Sequence, residues 1–127
     1  MGRPRAKDLT ERELEVMHVF WKYGEMTAAE AREKLASTGL DRAYTTIANL
    51  VRALEDRDFL QQMNTERPFR YRPVKSYEDI SGRLLGDLVE RVFRGSRAQL
   101  LYRLVEDRKL SPEERATLET ILKEQGK

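Results

Sequence analysis

Residues 42–73 read RAYTTIANLVRALEDRDFLQQMNTERPFRYRP, and a change of period inside this stretch decides the fold. From Arg42 to Arg57, the residues Ile47, Leu50, Val51 and Leu54 fall at i, i+3, i+4 and i+7. That is the apolar stripe of an amphipathic helix. Beyond Arg57 the stripe gives way to two short runs, Phe59–Met63 and Phe69–Arg72, around the polar turn Asn64–Pro68. In the second run Phe69 and Tyr71 alternate with Arg70 and Arg72, as in a strand with one face inward. The stretch predicts a helix followed by a β-hairpin.

Upstream, helix starts are marked by capping boxes, in which Ser or Thr is followed three residues later by Glu or Gln. Thr10–Glu13 opens a first helix to Tyr23, with Leu14, Met17 and Trp21 at helical spacing and Gly24 ending it. Thr27–Glu30 opens a second to Ser37, with Ala31 and Leu35 inward and Gly39 past its end. Asp41 is the expected cap of the third. Downstream, Ser76–Asp79 is a weaker box before a wide stripe of Ile80, Leu84, Leu85, Leu88, Val89, Val92 and Phe93, closed near Gly95. Ser96–Gln99 precedes a helix with Leu100, Leu101, Leu104 and Val105, and Ser111–Glu114, with Pro112, precedes one with Leu118, Ile121 and Leu122. The order is three helices, a hairpin, then three helices.

Three helices and a two-stranded wing form a winged helix-turn-helix. The expected class is therefore mainly α (α+β), with a DNA-binding winged helix in residues 1–74 and a three-helix dimerisation domain in residues 75–127. Burying Ile47, Leu50, Val51 and Leu54 turns Thr45, Asn49 and Arg52 outward, with Ala48 at the margin. A hydroxyl, an amide and a guanidinium are the groups that read base edges or grip phosphate. Polar residues also face solvent on any amphipathic helix; the wing tips the balance, because Arg67, Arg70 and Arg72 stand beside the expected groove. Charged edge strands also guard against aggregation, which weighs more on Arg70 and Arg72 than on Arg67. The expected DNA-contacting set is Tyr44, Thr45, Thr46, Ala48, Asn49, Arg52, Arg67 and Arg70. Arg3, Arg5 and Lys7, around Pro4, form a basic arm suited to phosphates, or more plainly a solubilising tail.

Charge alone decides little, since 24 basic and 22 acidic residues leave a net +2. Arginine supplies 17 of those bases, however, and it is the type that forks onto phosphate and guanine. No apolar run is long enough to span a membrane and no signal peptide is visible, so the expected compartment is the cytoplasm. The absence of cysteine excludes disulfides and thiolate metal sites. The fourth helix is apolar over more of its surface than one terminal helix buries, and the last two are short for independent stability. Leu84, Leu85, Leu88, Val92, Leu100, Leu104, Leu118, Ile121 and Leu122 are thus the expected homodimer interface, with folding back onto the same chain as the competing arrangement.

The segments Leu9–Trp21, Ala43–Leu54 and Phe69–Pro73 together resemble the penicillinase-repressor (BlaI/MecI-type) family of bacterial winged-helix repressors. Ala43-Tyr44-Thr45-Thr46 is the most specific part, and the likeness spans nearly the whole chain. The resemblance implies a homodimer on a palindromic operator in double-stranded DNA. It also implies a membrane sensor-protease, or a protease it activates, that cuts the dimerisation region, in the best-known members at an Asn-Phe bond. Arg103-Leu104 stands at that place, so the cleavage motif is absent. The family's copper-responsive branch binds metal through C-terminal cysteines, which this chain lacks; no cofactor or metal is expected, and the inducing signal stays open.

Catalysis finds no support among the residues. The single histidine, His18, lies among Met17, Val19 and Phe20 and reads as a packing or partly exposed residue. Asp56 and Asp58 read as a solvated helix end, and no phosphate loop, catalytic triad or ligand cluster is present. The rival class is a winged helix used for protein–protein assembly without DNA.

Overall fold

The computed structural model describes residues 9–107 and 109–126. Its elements run α1 (Glu11–Tyr23), β1 (Met26–Thr27), α2 (Ala28–Ser37), α3 (Tyr44–Asp56), β2 (Leu60–Gln62), β3 (Arg70–Pro73), α4 (Tyr77–Arg91), α5 (Arg97–Asp107) and α6 (Pro112–Gln125). The basic arm with Arg3, Arg5 and Lys7 lies outside the described residues. The class is the expected one, mainly α with a winged helix-turn-helix.

Local chemistry sets most helix starts. Thr10, Thr27 and Ser111 each accept a hydrogen bond from the backbone N–H of the third helical residue, and Glu13, Glu30 and Glu114 each return one. Ser76 and Ser96 cap in one direction, accepting from the N–H groups of Asp79 and Gln99. Asp41 is not a cap: α3 begins at Tyr44 behind Ala43, which has no side-chain capping bond. At the far end of α3 a Schellman turn reverses the chain, with Phe59 N–H donating to Leu54 O and Asp58 N–H to Glu55 O. Asp58 occupies the left-handed position there, at φ 66°.

The sheet has three antiparallel strands in the order β1-β3-β2, pairing Met26 with Tyr71 and Gln62 with Tyr71 across β3. Only the two wing strands were expected. β1 has two residues, too few to show alternation, and it arises because the chain from α1 into α2 passes the free edge of β3. Asn64 organises the wing tip: its Nδ2 donates to Glu66 O and Pro68 O, and its Oδ1 accepts from Arg70 N–H.

Two compact units divide the chain at Leu85/Gly86. In the first, α1 contributes Val16, Met17 and Phe20, α2 Ala31 and Leu35, α3 Ile47, Val51 and Leu54, and the wing region Phe59, Leu60 and Tyr71 to one core. The inward face of α1 is thus centred on Val16, Met17 and Phe20, while Leu14 and Trp21 flank it half-buried. Ile80 is buried in this core and Leu84 packs against it, so the first part of α4 belongs to this unit. The expected boundary at residues 74/75 falls before that helix. His18 is exposed, its ring 5.4 Å from Trp21 and 6.0 Å from Tyr77, while Trp21 Nε1 donates to Lys75 O at 2.9 Å.

In the second unit Val89 is buried, yet α6 buries no residue at all. Leu88, Val92, Leu101, Leu104, Val105, Leu118, Ile121 and Leu122 all lie exposed, Val92, Leu104 and Leu122 by 60% or more. Among the described residues no helix is long and apolar enough to cross a membrane.

Candidate nucleic-acid interface

The interface is built outward from the buried side of α3. Ile47, Val51 and Leu54 are at most 1% exposed, which fixes the rotation of the helix about its axis. With that side committed, the 100° step per residue leaves Tyr44, Thr45, Asn49 and Arg52 exposed, and Thr46 and Ala48 half-buried. Arg52 Nη1 donates to Asn49 Oδ1 at 3.3 Å, so the amide and guanidinium lie together on the outer face.

Beside this face the wing and the start of α2 enclose a cleft of about 390 Å³. Tyr44, Ala48 and Arg52 line it from α3, Arg67, Phe69 and Tyr71 from the wing, and Thr27, Ala28 and Ala29 from the α2 start. The Arg67 guanidinium lies 4.8 Å from the centre of the Phe69 ring, a cation–π contact that keeps an exposed arginine near the cleft mouth. Burial, reinforced by the nearby Glu55 carboxylate, raises the pKa of the Tyr71 phenol, so the hydroxyl stays protonated and able to donate. Glu55 and Asp56 mark the end of the cationic surface, since they line the cleft one turn beyond Arg52.

The expected site residues therefore fall into two groups. Tyr44, Thr45, Thr46, Ala48, Asn49 and Arg52 share one side of α3, with Arg67 across the cleft. Arg70 is different: its Nε donates to Glu25 Oε2 at 2.9 Å, and its Nη1 lies 3.6 Å from Glu30 Oε1. Those carboxylates offset its charge and tie β3 to the start of α2. Arg70 anchors the wing, for a reason the alternation in β3 does not show: Thr27, capping α2, pairs with Arg70 in the sheet. Arg72 is exposed, with Gln61 as a weak partner at 3.4 Å. The Thr27 capping box marks the α2 start in the sequence, but spacing alone does not assign Ala28 and Ala29 to the cleft.

The family model described as penicillinase repressor matches residues 9–124. The chain belongs to the penicillinase repressor family. That family comprises winged-helix DNA-binding repressors, and the fold of this repressor accords with it. The solution structure of the DNA binding domain of the repressor BlaI is similar at 26% identity and a TM-score of 0.51, covering 61% of this chain and 93% of that one. The oxidized form of MarR from E. coli shares 18% identity at a TM-score of 0.52, covering 94% of the repressor and 77% of MarR. The structure of hsRosR-SG shares 14% identity at a TM-score of 0.55, covering 97% and 96%. At such identities these last two show the fold alone. Among individually curated proteins, none matches. Among the described residues, no three His, Cys, Asp or Glu side chains are grouped to hold a metal ion.

Proposed function

We propose that this repressor binds a palindromic DNA operator as a homodimer, with α3 of each copy in a major groove and each wing against the flanking backbone. One observation carries the reading: α3 is locked by its buried side while Thr45, Asn49 and Arg52 stay exposed beside Arg67. Asn pairs with adenine and Arg with guanine through two hydrogen bonds, so this face carries the chemistry of base readout. The exposed apolar side chains of α4, α5 and α6 support the dimer, because a second copy would cover them and double the DNA site. Half-sites would then lie about one helical turn, ~34 Å, or a multiple of that apart.

Selection of bound sites from random duplex DNA at physiological salt tests the reading. A palindrome with two half-sites is the expected result; recovery of no preferred sequence, with affinity indifferent to salt, overturns it in favour of a protein-interaction module. Two substitutions resolve the contacts. Arg52→Ala is expected to weaken operator binding by ~1–3 kcal/mol and to relax preference at one base position of each half-site. Unchanged affinity in titrations with the selected operator would remove Arg52 from the interface. Arg67→Ala is expected to weaken binding on every sequence alike, reducing the slope of log K against log salt by about 1 per half-site. Loss confined to one sequence would instead make Arg67 a base reader.

A further inference from the structure

α3 enters its helix unlike α1, α2 and α6: its N-cap, Ala43, makes no side-chain bond. What precedes Ala43 is held instead from two sides. Arg42 Nη2 reaches both carboxylate oxygens of Glu15 on α1 at 3.0 Å, and Nε adds a bond to Oε1 at 3.3 Å. The Arg42 carbonyl in turn accepts from Arg32 Nε on α2 at 2.9 Å. Arg42 and Glu15 side chains are 23% and 19% exposed, so the pair is shielded in part from salt. A guanidinium fork on a carboxylate fixes orientation as well as distance.

We infer that Glu15, Arg42 and Arg32 form a bracket that positions the N-terminal end of α3 for base reading without touching DNA. The inference rests on the DNA-binding reading above. The buried residues of α3 begin at Ile47, one turn into the helix, so they control its rotation but do not include Tyr44 or Thr45. The bracket acts at the residue adjoining the cap, where a small change of entry angle swings those two side chains relative to the bases. A partly exposed ion pair adds little to stability. Its effect is therefore expected in selectivity rather than in folding.

The test uses the full chain, the operator obtained by selection, and a scrambled duplex of equal length at the same salt. Arg42→Ala is expected to lower the ratio of operator to scrambled affinity by about tenfold, the scale of one lost bidentate base contact. Affinity for the scrambled duplex should stay within about twofold, because phosphate contacts supply it. The ratio does not depend on the folded fraction, so a purely structural defect leaves it unmoved. Glu15→Gln, the milder variant should Arg42→Ala fold poorly, is expected to lower the ratio in the same direction. If Arg42 gripped phosphate directly, Glu15→Gln would free it and strengthen binding to both duplexes, overturning the inference. An unchanged ratio in both variants overturns it too. A parent chain without any sequence preference would instead sink the DNA-binding reading itself.

Discussion

Leu88→Glu is expected to turn a dimer into monomers in sedimentation at micromolar protein, and to weaken operator binding at least a hundredfold. Leu88 lies on α4, already exposed in the single chain along with Leu85 of the same helix and Val92 just past its end. In the monomer a glutamate there meets water and costs little, so the first unit stays folded. Within a dimer it would be a buried charge facing apolar side chains, a burden of several kcal/mol without a partner. The loss on DNA follows from avidity. Joining two half-site readers gains roughly 10²–10⁴ in affinity over one alone, and monomers forfeit it. Binding to a single half-site should change little. A variant that still sediments as a stable dimer would place the interface elsewhere than α4.

The second large effect is expected from Phe20→Ala, a loss of about 3–5 kcal/mol of unfolding free energy. Phe20 has no exposed surface and sits in α1 among Val16 and Met17, in the core that α2, α3 and the wing share. Removing the ring leaves a cavity that the surrounding helices close only in part. Against a total stability of roughly 5–15 kcal/mol for a domain, the variant would be marginally folded at best. Urea unfolding followed by circular dichroism, at fixed protomer concentration because dimerisation adds to apparent stability, reads this directly. A loss below about 1 kcal/mol would mean the ring is less enclosed than its burial implies.

Much of this was legible from residue patterns because it is governed by near neighbours. A capping box needs residues three apart, and those at Thr10, Thr27 and Ser111 formed as read. The inward side of α3 follows from spacing alone, and with it the outward placement of Thr45, Asn49 and Arg52. Spacing does not show where a distant partner intervenes. Asp41 has the chemistry of a cap, but the chain around it is held by Arg42 reaching Glu15, 27 residues away, and α3 starts later. Arg70 has the look of a phosphate contact, yet Glu25, 45 residues earlier, holds it.

What the amino-acid order determined alone is the succession of elements and which side of each is apolar, since both depend on periodicity and on hydrogen bonds spanning a few residues. Tertiary structure decided the rest: a two-residue strand called into being by the edge of β3, Ile80 drawn into the first unit, and the choice between arginines that stay outward and arginines held by carboxylates. Those outcomes depend on groups brought close only once the core has closed. Spacing along the chain carries no record of that proximity.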